Sequence, residues 1–450
     1  MTFMVIAAIH WEALGLWMKW ARPWRPERNE TPAVVPRKGT RGAGMDEPRV
    51  VKTTKGERDL PRWFASSFAV LQGLKAGQID IALPDGRVFR VEGPERGPVA
   101  RIDVRHPGLF ARVAREGELG FCEAYLDGWW DTPDLQVLLD VLLTSQGWVE
   151  PSFPGAGLVR RYRQAMHWLN RNTRSQARRN IAAHYDLGND FYALWLDETM
   201  TYSSALFEDA REELAAAQLR KYASVCDRIG ADENTHLLEI GCGWGGFAEY
   251  AARERGARVT GLTISREQHD FARQRIFEAG LADRVDIVFC DYRDERGSYD
   301  GIASIEMVEA VGEKYWPAYF ATVRDRLKPG AAATIQVITV PDSLFPTYRR
   351  KVDFIQKYIF PGGMLPSPTV LREQIERAGL TLSGSVQFSE SYVETLRRWH
   401  GRFNSAWDEI AEMGFDERFW RMWTFYLASC AAAFRTGTTD VAQVTMRRPA

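Results

Sequence analysis

Leu237-Leu238-Glu239-Ile240-Gly241-Cys242-Gly243-Trp244-Gly245-Gly246, running on into Phe247-Ala248-Glu249-Tyr250, is the stretch that decides the fold of this 450-residue chain. Branched apolar residues deliver the backbone into a Gly-rich turn, and the apolar, Ala-containing run beyond it predicts a helix. Strand, loop and helix in that order make a ligand cradle, because Gly at 241, 243 and 246 permits positive φ and close backbone approach at a helix N-terminus. The pattern also satisfies G-x-G-x-x-G. A dinucleotide site, however, needs an acidic residue about 20 residues on, at the end of the second strand. That strand, 258–263, ends in Thr263, which argues against NAD or FAD.

Outward from the loop, the pattern alternates strand and helix. Strands are predicted at 236–240, 258–263, 285–290, 300–305 and 331–340, the first four each followed by a helical stretch. That alternation predicts an α/β domain over 183–450 with a doubly wound parallel sheet covered on both faces. Residues 380–388 and 441–447 are expected to complete it as late strands, and 419–434 reads as an aromatic helix. Upstream, 60–150 reads as a compact α+β domain. It has a helix over 64–74, a hairpin folded at Pro84-Asp85-Gly86-Arg87, and an apolar helix ending near Leu143. Between Pro151 and Tyr185 stand seven Arg and no acid, with apolar residues at helical spacing around Trp168. A basic amphipathic linker over 151–182 is predicted, suited either to an anionic membrane surface or to solvated packing between domains. No recognised reading motif accompanies it, so nucleic acid is not the expected partner. Residues 1–59 read as a disordered or amphipathic N-terminal extension, too interrupted by His10 and Glu12 to span a bilayer, with Met45 as an alternative start.

A net charge of −1 gives no global steering. Five scattered Cys without metal-ligand spacing predict neither a disulfide framework nor a metal site. The 16 Trp, 23 Phe and 15 Tyr suit a large apolar ligand, although a large core alone accounts for them.

In a doubly wound sheet the ligand lies across the carboxyl ends of the strands, so those tips hold the candidate site. They are Thr263 with Gln268, then Asp291 and Tyr292, then Glu306 and Glu309 across the sheet from the loop. Asp291 is placed to accept from an exocyclic amine while Tyr292 stacks on a base. If 306–309 is helical, its two carboxylates share one face and divide acid and base roles, although such spacing is also common on solvated helices.

Several motifs in order carry a family resemblance. They are His184-Tyr185-Asp186-Leu187-Gly188-Asn189, Met200-Thr201-Tyr202-Ser203, the Gly loop, Leu262-Thr263-Ile264-Ser265-Arg266-Glu267-Gln268, and Phe360-Pro361-Gly362-Gly363-Met364-Leu365-Pro366. Together they resemble the cyclopropane-fatty-acyl-phospholipid synthases over roughly residues 60–435. The resemblance implies a class I methyltransferase (Rossmann-like) sheet with an N-terminal lipid-associated domain, and S-adenosylmethionine as cofactor. It assigns cofactor contacts to Tyr202, Ser203, Gly241 and Gly243, ribose contacts to Thr263 and Gln268, and the adenine frame to Asp291 and Tyr292. It implies a cytoplasmic enzyme, peripheral on the inner membrane face, that modifies a cis-unsaturated acyl chain of a phospholipid. A homodimer is compatible with it.

In that family a bicarbonate ion, held by Cys, Glu, His, Tyr and a main-chain group, serves as base. Here Glu309 and Tyr392 match the Glu and Tyr, but Ser204 stands at the Cys position, Gln336 at the His position, and Glu306 where Gly is usual. Loss of bicarbonate ligands beside gain of a carboxylate leads to the expectation that Glu306 takes the place of the ion. A moved base can remove a different proton, so a methyl-branched or methylene chain stands beside the cyclopropane as product. Two other readings stay open: a lipid-binding relative without chemistry, and a small-molecule methyltransferase acting on nitrogen or oxygen. Residues 345–368, rich in aromatic residues and Pro, are the candidate cover of an acyl tunnel.

Overall fold

The computed structural model describes residues 49–145 and 187–450. The extension before residue 49, Met45 and the basic helix expected over 151–182 lie outside the described residues.

The first unit begins earlier than residue 60, with β1 (Val50–Val51) in parallel register with Val88 and Phe89. It continues through α1 (Phe64–Leu71), β2 (Ala76–Ala82), β3 (Val88–Glu92), β4 (Glu95–Val104), α2 (Leu109–Glu116), α3 (Glu118–Leu126), β5 (Trp130–Asp131) and α4 (Leu135–Thr144). Its five strands lie in the order β1-β3-β2-β4-β5. Alternation of buried and half-buried residues along β2 turns Ile79 and Ile81 into the core, as a one-sided sheet requires. The predicted hairpin forms between β2 and β3.

The second unit runs from α5 (Asn189–Ala193) and α6 (Leu214–Ile229) into β6 (His236–Ile240), α7 (Gly246–Arg255), β7 (Arg258–Thr263), α8 (Arg266–Glu278), β8 (Val285–Phe289) and β9 (Tyr299–Ile305). Beyond β9 come α9 (Val308–Val311), α10 (Trp316–Arg326) and β10 (Leu327–Thr339). The expected cover carries α11 (Phe345–Tyr348) and α12 (Phe354–Tyr358), and α13 (Pro368–Arg377) leads to β11 (Thr381–Gln387). Then α14 (Ser389–Ser405), α15 (Trp407–Glu412) and α16 (Glu417–Arg435) precede β12 (Asp440–Arg447). The sheet order is β11-β12-β10-β9-β6-β7-β8, with β6 to β10 parallel as predicted. The two late strands form, but β12 runs antiparallel to both β10 and β11. It enters from the opposite end because the excursion through α14 to α16 returns the chain there, giving the mixed edge common in large sheets.

Strand order turns back between β6 and β9, which are neighbours, and this is the switch point where such sheets bind ligands. The aromatic helix α16 connects the two units. Its Phe425 ring lies 5.6 Å from Tyr125 of α3 and 5.0 Å from Phe354 of α12, measured between centroids. Arg421 donates to the Tyr125 carbonyl at 3.4 Å, and Arg435 pairs with Asp140 of α4. One continuous core therefore runs from the first sheet through α16 to α14.

Candidate active site

The Gly loop follows β6 as predicted, with φ 84° at Gly241 and 53° at Gly243. A Cβ on Gly241 would stand 2.8 Å from Cγ of Met307, so this position needs glycine for conformation and for space. Gly246 does not have positive φ. Its glycine is required by packing, since a Cβ there would lie 2.6 Å from the Tyr222 hydroxyl. The Met307 contact also corrects the expected placement of Glu306. Because β9 lies beside β6, Glu306, which directly follows β9, stands at the tip of the neighbouring strand and not across the sheet.

A cavity of about 730 Å³ opens at these strand tips. Tyr202, Ser203, Gly241, Gly243, Thr263, Gln268, Asp291, Tyr292, Glu306, Glu309 and Tyr392 all line it. Thr263 Oγ1 donates to Gln268 Oε1 at 2.9 Å, and the Ser265 hydroxyl caps α8 by accepting from the Gln268 N–H, which fixes both predicted ribose contacts. The Asp291 carboxylate is held by Arg293, whose Nε lies 2.8 Å from Oδ1. The Tyr202 hydroxyl meets that of Tyr426 at 2.9 Å. Much of the remaining wall is apolar and aromatic, from the cover (Tyr348, Phe354, Ile359, Met364), α16 (Phe425, Phe434) and the first unit (Leu119, Cys122, Leu139, Leu143), with charged residues of the first unit and the cover (Arg115, Glu118, Arg350, Asp353) also lining it.

Glu306 is not helical. It sits in the turn before α9 at φ 50°, a left-handed conformation that costs a non-glycine residue on the order of 1 kcal/mol or more. Its backbone N–H donates to the Gln336 carbonyl at 2.8 Å. Three donors converge on its carboxylate: the Ser204 N–H at 2.9 Å and Gln336 Nε2 at 2.8 Å on Oε1, and the Tyr392 hydroxyl at 2.6 Å on Oε2. Burial raises its pKa, while these donors and nearby Lys221 oppose the rise.

Glu309 is one turn along, in α9. Its Oε1 accepts from the Ile338 N–H at 2.6 Å, and Oε2 is buried without a partner. Burial, reinforced by the Glu306 charge, pushes its pKa up to about 8. The two carboxylates are thus unlike: Glu306 is held by three donors that oppose the effect of burial, whereas Glu309, with one donor and an unpartnered oxygen, is pushed up to about 8 and holds a proton at neutral pH.

Two predicted catalytic residues act from behind the wall. Ser204 reaches Glu306 through its main chain, while its hydroxyl donates to the Ala205 carbonyl at 2.9 Å. Gln336 donates to Glu306 and to the Ser204 carbonyl, so both residues position the carboxylate without touching the cavity.

Sequence reasoning missed two further groups. Lys221 of α6 is buried and donates to the Ser203 hydroxyl at 2.7 Å, and burial lowers its pKa to about 7. Glu239 of β6 lines the cavity beside the Gly loop with Oε2 unpartnered, and burial raises its pKa to about 8. An unpartnered buried carboxyl beside a cradle that only glycine permits fits a polar ligand seated against the loop, and the nonacidic tip at Thr263 keeps it from being a dinucleotide. Among the described residues no group of His, Cys, Asp and Glu could hold a metal ion.

Comparison with known proteins agrees with this geometry. The family profile described as mycolic acid cyclopropane synthetase matches residues 172–444. The tuberculostearic acid methyltransferase of Mycobacterium tuberculosis is 43% identical over 373 residues, covering 77% of this chain and 84% of that protein. The cyclopropane-fatty-acyl-phospholipid synthase of Escherichia coli K12 is 34% identical, covering 82% and 96%. Among solved structures, a mycolic acid cyclopropane synthase complexed with SAH and CTAB superposes with a TM-score of 0.57 at 29% identity, covering 60% of this chain and 98% of that one.

Proposed function

We propose a function from one premise: this chain belongs to the mycolic acid cyclopropane synthetase family. It is an S-adenosylmethionine-dependent enzyme that adds one carbon to the double bond of an unsaturated fatty acyl chain. S-adenosylmethionine, when bound, supplies an electrophilic methyl group, and the alkene that takes it is left with positive charge on the neighbouring carbon. Tyr202, Ser203, Gly241, Gly243, Thr263, Gln268, Asp291 and Tyr292 would hold the cofactor, with Glu239 as an acceptor beside them. The aromatic and aliphatic wall holds the acyl chain and excludes water, which strengthens every charge interaction inside.

The observation that carries the reading is the Glu306 carboxylate, fixed by three donors at the edge of an apolar cavity next to the Gly loop. A preorganised anion there stabilises the positive charge and then accepts the proton that must leave. The proton it removes sets the product. Direct removal from the added carbon closes a cyclopropane; removal from the same carbon after a 1,2-hydride shift to the cationic carbon leaves a methylene chain, and removal from a neighbouring chain carbon leaves a methyl-branched alkene. The acyl chain belongs to a membrane phospholipid, reached by peripheral binding at the cytoplasmic face. In support of this, much of the cavity wall is apolar.

Vesicles of unsaturated phospholipid, S-adenosylmethionine and the purified protein, without added bicarbonate, provide the test. Mass spectrometry is expected to find acyl chains heavier by one CH2 unit, and hydrogenation separates ring from branch. Glu306→Gln is expected to lower turnover by roughly 10²–10⁴-fold while calorimetry finds cofactor binding retained. Full turnover by that variant, or strict dependence of the wild type on bicarbonate, would rule the assignment out.

A further inference from the structure

Behind Glu306, a chain of hydrogen bonds runs through the sheet to the far side of α6. Gln336 of β10 donates from Nε2 to Glu306 Oε1 at 2.8 Å, and its own Oε1 accepts from Gln443 Nε2 at 3.3 Å. Gln443 is the direct cross-strand partner of Gln336 on β12, and both are about 1% exposed. Gln443 Oε1 in turn accepts from the Ser224 hydroxyl at 2.6 Å and from Arg228 Nε at 3.2 Å. Arg228 Nε also reaches Ser224 Oγ at 3.3 Å, which occupies a lone pair there and leaves the hydroxyl proton for Gln443.

A carboxamide bonds equally well either way round, so two glutamines in series do not by themselves decide whether Gln336 offers Glu306 an N–H or a carbonyl oxygen. Arginine has no such freedom, since it only donates. With Arg228 donating to Gln443 Oε1, the Gln443 amide must point its N–H groups toward Gln336 and toward the Lys221 carbonyl, which accepts from Nε2 at 3.4 Å and favours the same orientation. Gln336 must then accept on Oε1 and turn its own N–H groups toward Glu306 and the Ser204 carbonyl. Reversing either amide would set carbonyl oxygen against carbonyl oxygen or against the carboxylate, in a region where unpaired polar atoms are costly.

Building on the reading of Glu306 as base, we infer that Arg228 is a positioning residue for the reaction: through Ser224, Gln443 and Gln336 it fixes the amide polarity that keeps an N–H donor on the Glu306 carboxylate and aims that carboxylate into the cavity. Neither Arg228 nor Ser224 is among the residues that line the cavity. Other charged or titratable groups face the same carboxylate: Lys221 from α6, Glu309 from α9 and Tyr392 from α14.

The test is the pH profile of kcat on phospholipid vesicles for the wild type, Arg228→Met, Arg228→Lys, Gln443→Leu and Glu306→Gln. In all of these Lys221, Glu309 and Tyr392 are untouched, so differences between profiles belong to the chain. Arg228→Met and Gln443→Leu are each expected to move the acid limb upward by roughly half to one pH unit. At neutral pH this lowers kcat several-fold, with the KM for lipid and the calorimetric affinity for S-adenosylmethionine unchanged. The double variant should move the limb no further than either single one, because both cut the same path. Arg228→Lys, which keeps a donor that cannot accept, should return the limb most of the way to its wild-type position. Gln443→Leu keeps the test intact if Arg228→Met folds poorly. An unshifted limb in the Arg228→Met and Gln443→Leu enzymes beside an inactive Glu306→Gln would overturn the role of Arg228 alone. Full activity of Glu306→Gln would instead remove the base and, with it, the reason for the chain.

Discussion

Glu306 occupies a backbone conformation that favours glycine and a depth that disfavours charge, and the Ser204 N–H, Gln336 and Tyr392 hold it there against both. Glu306→Gly would relieve the φ of 50° and leave those donors around a space the size of a small carboxylate. That variant is expected to be inactive alone and to regain measurable turnover with added formate, acetate or bicarbonate, read as a saturable dependence on the added ion. Glu309 makes a separate, thermodynamic prediction. Its folded pKa of about 8 lies above the ordinary carboxyl value of 4.5, so between those values the native state binds more protons than the unfolded chain. Its contribution to stability is therefore complete below about pH 4.5 and is lost as pH rises through 8. Glu309→Gln, always uncharged, should show a flatter decline of Tm between pH 5 and 8 than the wild type, measured by calorimetry. The two acids were legible in the sequence because they stand at a strand end. Lys221, Gln443 and Arg228 were not, since polar residues on an amphipathic helix or a late strand carry no local mark of what they face after folding.

At the scale of elements, the parallel strands from 236 to 305 follow directly from the alternating pattern, while the turn at 306 does not. The condition under which Glu306 and Glu309 would share a helix face is not met, since α9 starts only at Val308 and Glu306 stands before it in a left-handed turn. The cover fares better: α11 and α12 lie over the cavity, within the predicted 345–368. What no local pattern announces is its fastening. Glu123 of α3 accepts from Lys357 and, at 3.0 Å, from the Tyr358 hydroxyl, both on α12, and from Arg112 at 2.8 Å. Burial pushes the Glu123 carboxyl up, but these partners together hold it below the usual carboxylate range. The Glu123 carboxylate thus ties the first unit to the cover. Lys357 is 42% exposed, so its share is screened by solvent. The more enclosed bonds to Arg112 and Tyr358 make Glu123→Gln worth about 1–2 kcal/mol. Local opening of the cover should become roughly tenfold more frequent, seen as faster tryptic cleavage at Lys351 and Lys357 under native conditions. The global Tm should change little, and the KM for vesicle lipid should respond more than the affinity for S-adenosylmethionine.

At the scale of the whole molecule, the sequence reads as two domains on either side of a linker, yet described residues 49–145 and 187–450 fall in one compact unit. The reason is α16, whose buried face is aromatic nearly along its length and packs on α4 and α3 of the first unit as well as on α14 of the second. Periodicity identifies such a helix but not its partners, so the shared core could not be read in advance. Its consequence is cooperative. Neither unit can expose its side of α16 without removing the core of the other, so unfolding of one at a lower temperature would leave a large apolar surface in water. Calorimetry is accordingly expected to record one transition for the full chain, with calorimetric and van't Hoff enthalpies in agreement. Phe425 tests the idea most sharply, because its ring, about 2% exposed, sits between Tyr125 of the first unit and Phe354 of the cover. Phe425→Ala should cost about 3–5 kcal/mol and lower the single transition as a whole. Splitting into two transitions, with only the first unit destabilised, would show that α16 belongs to the second unit alone. The same variant enlarges the cavity that Phe425 lines, so lipid turnover should fall even at temperatures where the protein remains folded.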